Sequence, residues 1–406
     1  MRTFSVLAAV GFIVVAGGVA SQAAMVTRGE VTFTAPERAT TTVVKPRLPE
    51  VEHIKTPAAV KALYMSQCAA SSQSFRDHLF DIADNTEINA IVVDLKDYSG
   101  AVGFPSKTAL PGGAGCRVSD FRELVKAMHE HDIYVIGRMT VFQDPLYTEV
   151  HPEGAVKRES DPTQVWRDHK GLAFVDVGYH PFWEYIVGLS KEAHEMGVDE
   201  INFDYIRYPS DGNMQDTHYQ HSDYNHRDVE LERFFSYLAS ELGSYVSSGH
   251  TPVRSADVFG MTTTNYDDLT IGQVLERTLP YFDFVAPMTY PSHYPPGFNG
   301  YGNPNNNVYG VIEYSLSRAI PRTEATTTRI ASFAYERIGT STPAEYKKPA
   351  YDRNKLRLWI QDFDYGGNYG PEEVRAQIQA VYDQGLDSWM LWDPANKYTR
   401  DALHAQ

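Results

Sequence analysis

The sequence predicts an α/β fold, a (β/α)8 TIM barrel preceded by an N-terminal signal or anchor and a linker. Three observations carry this reading. From about Ala59 onward, short β-rich runs alternate with amphipathic helical patterns, the mark of repeated βα units and a parallel sheet. The β-rich runs number eight, which suits closure into a barrel. No glycine-rich phosphate loop follows the first run, which argues against an open doubly wound sheet. A barrel with insertions can use most of 406 residues as one domain, so length does not require two.

The predicted strands are Val60 to Met65, Ala90 to Leu95, Ile133 to Met139, Glu200 to Ile206, Val253 to Gly260, Asp283 to Met288, Leu356 to Asp362 and Ser388 to Trp392. The helices between them follow from apolar spacing. Phe182, Ile186, Leu189, Ala193 and Met196 recur at intervals of four and three, and Gly197 stands where a left-handed cap stops a helix. Ser119 can cap a helix carrying Phe121, Leu124, Val125 and Met128, and Pro371 can open one that Gly385 closes. The segment from Ala325 to Lys355 includes a strand-like RIASFAY, which would make nine strands, and is read as an insertion before strand seven.

The first 24 residues read as a signal peptide or membrane anchor: Arg2, then an apolar run from Phe4 to Ala20, then small residues at Ser21, Ala23 and Ala24. Residues 25–58, rich in Thr, Val, Pro and charge without periodicity, read as a linker, and residues 59–406 as the barrel domain. Export to the extracellular space, periplasm or cell surface follows, with membrane anchoring through the N-terminal segment as the alternative to cleavage. The formal charge of -16 repels phosphate backbones, so nucleic acid is not an expected partner. Cys68 and Cys116 are the two cysteines, too few for a four-cysteine zinc site; they either pair in the exported protein or stand as separate buried thiols. The histidines are scattered, and His129 and His131 fall at a helix end expected to face solvent, so neither a metal nor a cofactor is expected.

The most informative stretch is DEINFDYIRYPSDG. As a strand it puts Glu200, Asn202 and Asp204 on one face, pointing into the barrel, with Asp204 at the C-terminal end where barrel enzymes place their chemistry. Three polar groups in a barrel interior are costly unless paired, so a purely structural sequence would favour Val or Ile there. Arg207 and Tyr208 follow closely enough to orient a carboxylate. In strand two, Asp94 and Lys96 share a face and either pair with each other or meet substrate, and Asp97 opens the loop. Arg138 ends strand three, where it could hold a carboxylate of strand four, and Gly137 before it permits close approach. Asp257, sharing a face with Ser255 on strand five, is the best second carboxylate for glycoside hydrolysis, which needs two. The loop PMTYPSHYPPGFNGYGNPNN offers Tyr290, His293 and Tyr294 as a platform for sugar rings, and strands seven and eight end in Gln361, Asp362, Trp392 and Asp393. For each of these the competing reading is structural: an ion pair, a cap or core packing.

Together, VVDLKDYSGAVGFPS, YVIGRMTVFQDP, DEINFDYIRYPSDG, SADVFG, PMTYPSHYPPGFNGYG and WMLWDP resemble a bacterial family of glycoside-hydrolase-like domains, distantly similar to the α-amylase-like barrels. The resemblance implies a TIM barrel acting on an extracellular or cell-surface polysaccharide, with Asp204 in the place of the strand-four nucleophile. Asp257 stands where α-amylase-like enzymes carry a glutamic acid, and Asn202 where they carry an arginine, for which Arg138 is a substitute. A glycosidase of retaining type is therefore expected, and the alternative is a barrel that binds carbohydrate for adhesion or wall attachment without cleaving it.

Overall fold

Each of the eight predicted runs forms a strand in a computed structural model of the chain, which describes residues 52–405. The barrel strands are β1 (Lys61–Met65), β2 (Ala90–Lys96), β3 (Tyr134–Thr140), β4 (Glu200–Asp204), β5 (Val253–Phe259), β6 (Phe284–Met288), β7 (Leu358–Gln361) and β8 (Trp389–Trp392). They pair in parallel in chain order, and β1 closes on β8. Helices follow the first seven: α1 (Gln73–Asn85), α2 (Phe121–Glu130), α3 (His180–Glu195), α4 (Arg227–Gly243), α5 (Leu275–Thr278), α6 (Val308–Glu324) and α7 (Pro371–Asp383). The strand-then-helix alternation in the sequence is thus the fold itself.

The two faces of each strand divide the core. Outward residues such as Leu63, Ile91, Val93, Val135, Ile201 and Phe203 pack against the apolar stripes of the helices, for example Phe182, Ile186 and Leu189 of α3. Inward residues fill the barrel with a second cluster that includes Ala62, Tyr64, Val92, Tyr134, Ile136, Trp359 and Met390. Gly137 belongs to the outward set, where a Cβ would stand 2.5 Å from a Leu95 methyl and 2.8 Å from Val198. Gly197 ends α3 with φ 105° and Gly385 follows α7 with φ 75°, as their positions in the sequence predict. Asp120 rather than Ser119 occupies the cap position of α2.

The segment before β7 is an insertion outside the barrel. It forms a three-stranded antiparallel sheet from Thr327–Thr328, Glu336–Ile338 and Glu345–Lys347, and RIASFAY is a turn region rather than a ninth barrel strand. Cys68 and Cys116 form a disulfide that ties the loop after β1 to the loop after β2. The predicted signal or anchor and most of the predicted linker lie outside the described residues. The linker's last residues do not run free: Ile54 donates its N–H to Asp199 at 2.8 Å and Thr56 meets the Tyr134 hydroxyl at 3.0 Å. His129 bonds the same aspartate at 2.9 Å with its side chain almost covered, so it does not face solvent as the sequence suggested. Among the described residues, no helix is long and apolar enough to cross a membrane.

Candidate active site

Three inward positions of β4 build a column from floor to mouth. At the floor Glu200, fully buried, pairs with Arg357, the residue before β7, at 2.8 Å and accepts from the Tyr134 hydroxyl of β3 at 3.2 Å. One level up, Asn202 donates to Ser255 at 3.0 Å and to Oδ1 of Asp257 at 2.9 Å, both on β5. Trp359 of β7 donates its indole N–H to the same Asp257 oxygen at 2.8 Å. At the mouth Asp204 accepts from Nε and Nη2 of Arg138 at 3.1 and 2.5 Å. Arg138 Nη1 donates to Asp94 of β2 at 2.6 Å, and the Tyr64 hydroxyl donates to the other Asp94 oxygen at 2.5 Å. The same Arg138 Nε lies 4.0 Å from Asp257. One guanidinium therefore organises carboxylates from three strands.

The residue after the nucleophile candidate has an unusual backbone. Tyr205 has φ 51°, a left-handed conformation that a non-glycine residue adopts at a cost. The turn aims the Tyr205 N–H at Oδ1 of Asp204, 2.6 Å away.

Above these groups lies a cavity of about 340 Å³, within the usual range for small-molecule sites. Its base is Asp204, Asp257 and Arg138, and its walls are largely apolar or aromatic, including Phe259, Met288, Tyr290 and Trp392. The Trp392 ring stacks on Tyr64 with centroids 3.9 Å apart and lies 4.9 Å from the Arg138 guanidinium carbon. Gly260 completes the wall because a Cβ there would stand 2.3 Å from the Tyr294 hydroxyl and 2.5 Å from a backbone carbonyl.

The two carboxyl groups have unlike surroundings. Asp257 is 1% exposed, and burial, with the nearby Asp204 charge adding to it, pushes its pKa well above the usual carboxylate range. Asp204 instead receives two charge-assisted bonds from Arg138 and one from the Tyr205 backbone N–H. Two carboxyl groups held apart in this way are the arrangement that acid and base chemistry requires.

A protein family described as a "putative glycosyl hydrolase domain" matches residues 62–398. The chain belongs to this family. Its fold is shared by the PgaB (BpsB) glycoside hydrolase domain from Bordetella bronchiseptica, with TM-score 0.57 and 11% identity over 86% of this chain and 99% of that one. Alpha-L-fucosidase isoenzyme 2 from Paenibacillus thiaminolyticus shares it with TM-score 0.53 and 12% identity over 85% of this chain and 48% of the fucosidase, about half its length. A hypothetical protein from Ruminiclostridium thermocellum ATCC 27405 is 33% identical over 48% of this chain and 97% of its own, with TM-score 0.41. No curated protein matches the sequence.

In this member of the family the predicted residues divide into those at the cavity and those beside it. Asp204, Asp257, Arg138, Arg207, Tyr290, His293 and Trp392 line it. Asp94 and Asn202 stand behind, holding Arg138 and Asp257. Lys96 is not at the site: a register shift between Asp94 and Lys96 breaks the alternation, and its ammonium pairs with Asp144 at 2.8 Å beside the Phe182 ring of α3. It does not pair with Asp94. Asp97 folds its own loop by accepting from Ser99. Tyr208 turns away into a cluster with Tyr219 and Tyr224, because the chain leaves β4 at Tyr205. Gln361 accepts from Ser292 and so brackets the loop after β6, and Asp393 accepts the N–H groups of Ala395 and Lys397 in the turn after β8.

Tyr64, Tyr205 and Trp359 were not singled out from the sequence. Tyr64 and Trp359 lie on the inward faces of β1 and β7, in phase with Ala62 and Gln361, so strand alternation alone could have nominated them. Nothing in the sequence marks the turn at Tyr205. Among the described residues no His, Cys, Asp and Glu side chains group in a way that could hold a metal ion.

Proposed function

We propose that this chain is a glycosidase acting on an extracellular or cell-surface polysaccharide, with Asp204 as nucleophile and Asp257 as acid and base. The observation that carries the reading is the pair itself: two inward carboxyl groups at the strand ends, one paired with Arg138 and one buried with a raised pKa, beneath an aromatic-walled cavity. Asp257 gives its proton to the glycosidic oxygen as the bond to the anomeric carbon breaks, and Asp204 forms a new bond to that carbon. Water then attacks the glycosyl-enzyme while ionised Asp257 takes its proton, which returns both groups to their starting states. Arg138 Nε reaches both carboxylates, at 3.1 and 4.0 Å. That sharing supports the closer carboxylate spacing of retaining enzymes, roughly 5–5.5 Å, over the wider spacing of inverting ones. Trp392, Tyr290 and His293 form the wall on which the sugar ring rests.

Membership of the glycosyl hydrolase family supports the same reading, and the Cys68–Cys116 disulfide supports export, since such bonds persist in oxidising compartments. The test is turnover of a panel of aryl glycosides and bacterial surface polysaccharides by the parent and by Asp204→Asn, with circular dichroism as a folding control. Loss of turnover in a folded Asp204→Asn is expected. A parent inactive on the whole panel, yet binding glycans equally well with Asp204→Asn, would instead make it a carbohydrate-binding barrel.

A further inference from the structure

Of the six buried arginines among the described residues, five have an ion pair: Arg76 with Asp120, Arg138 with Asp94 and Asp204, Arg277 with Asp228 and Glu232, Arg322 with Glu276, and Arg357 with Glu200. Arg207 is the exception. It is 9% exposed, and within the described residues no carboxylate comes within ion-pair distance of it. Its guanidinium carbon lies over three rings, at 4.8 Å from Tyr205, 4.9 Å from Phe259 and 5.8 Å from Phe174. Nη1 donates to the Tyr208 carbonyl at 3.0 Å, and Nε and Nη2 have no protein acceptor within the described residues. The charges of Asp204, Asp168 and Asp211 act on it from beyond bonding distance, but a buried cation with no bonded carboxylate is still costly and marks a candidate ligand site.

Its position says which ligand. Arg207 and Tyr205 form a wall common to the cavity over Asp204 and a second cavity of about 350 Å³, between the loops that follow β3 and β4. Tyr98, Gln143, Lys170 and Phe174 help to line the second space, and Tyr98 is 58% exposed at its edge. Asp168 and Asp211 also line it; Asp168 accepts the Lys170 and Leu172 N–H groups, and Asp211 faces His169 at 3.7 Å. The free Nε and Nη2 of Arg207 form the side-on edge that can bind a carboxylate through two parallel bonds; the same edge of Arg138 already holds a carboxylate, both nitrogens donating to Oδ2 of Asp204.

We propose that the second cavity is a subsite for the sugar adjoining the scissile bond, and that this sugar carries a carboxylate bound side-on by Arg207. The enzyme then prefers acidic, uronate-bearing polysaccharide over neutral chains. The inference rests on the cup being a glycan site, and its test reads binding rather than turnover.

Catalytically disabled full-length Asp204→Asn is titrated with a panel of uronate-bearing oligosaccharides, with the same oligosaccharides after carboxyl reduction to neutral sugars, and with sulfated and phosphorylated analogues. A uronate-bearing member is expected to bind about tenfold to a hundredfold tighter than its reduced counterpart, the factor for one charge-assisted bidentate contact. Arg207→Gln should erase that preference, and Arg207→Lys, which keeps charge without the planar fork, should recover part of it. Equal affinity of Asp204→Asn for acidic and reduced chains overturns the proposal whether or not the Arg207 variants fold. So does an acidic preference that survives in folded Arg207→Gln, or a preference for sulfate or phosphate esters. Absence of acidic-glycan binding by a protein that cleaves neutral aryl glycosides overturns this inference and leaves the glycosidase reading standing; absence of both binding and cleavage ends both.

Discussion

Replacing Asp257 with asparagine separates its proposed role in catalysis from its role in the fold. Its Oδ1 accepts from Trp359 at 2.8 Å and from Asn202 at 2.9 Å, and an asparagine oxygen can keep both bonds. The side chain is 1% exposed, and burial with the nearby Asp204 charge raises its pKa, which favours the protonated acid that an amide imitates in shape and charge. Stability should therefore change by no more than about 1 kcal/mol. Turnover should not be spared. Losing general-acid assistance typically costs a factor of about 10² to 10⁴, or roughly 3 to 5 kcal/mol in the barrier. The deficit should appear with alkyl glycosides and natural polysaccharide, whose leaving oxygens need a proton. It should shrink with dinitrophenyl glycosides, whose leaving groups depart without one. The pH profile of kcat/KM provides a second reading: the parent needs Asp257 protonated, so its rate falls as pH rises through the raised pKa, and that alkaline limb should be absent in Asp257→Asn. Equal loss on both kinds of leaving group, or an alkaline limb unchanged in the variant, would refute the assignment of Asp257 as the acid.

Three further outcomes follow from the geometry. Tyr205 sits at φ 51°, so Tyr205→Gly should be more stable than Tyr205→Ala by about 1–2 kcal/mol in urea melts, the reverse of the usual order, while both weaken glycan binding. The disulfide closes a loop with a sequence separation of 48, so Cys68→Ser/Cys116→Ser should lose about 2–4 kcal/mol and melt several degrees lower; an unchanged melting temperature would show that the loops hold without it. Burial, with Asp393 nearby, raises Asp362 to about 7, against Thr399 bonds that lower it. The folded protein thus keeps a proton that the unfolded chain loses near pH 4. Stability should fall as pH rises from about 4 to 7, by up to about 4 kcal/mol, and urea melts of Asp362→Asn should lack that slope.

The barrel was legible in the sequence because its signal is local. Each strand announces itself within about six residues, and a long helix shows its apolar stripe and its stop within one segment, as α3 does from Phe182 to Gly197. The site was legible only in outline. Alternation along β4 correctly sent Glu200, Asn202 and Asp204 inward, and that step needs nothing beyond the two-residue period of a strand. The same period failed at Lys96, where a bulge reverses the facing, and nearness in sequence failed at Tyr208, where the left-handed Tyr205 turns the chain away. Both failures come from backbone events that leave no mark in hydrophobic pattern.

What the pattern could not do was rank the three polar groups of β4, because their roles are set by partners far away in the chain. Glu200 is neutralised by Arg357, 157 residues on, and becomes part of the floor. Asn202 is committed to β5 and serves as a bracket for Asp257. Asp204 shares its arginine with Asp94 and opens to the cavity. One column of polar side chains thus passes from structural to chemical with height in the barrel. The decisive difference is whether other side chains close over the group, as Arg357 and Tyr134 do at Glu200, or leave it facing the cavity, as at Asp204. Arg207 extends the same logic past the strand end. It is charged and buried like the floor residues, but no carboxylate among the described residues pairs with it, which is why the search for a partner belongs in solution with acidic glycans.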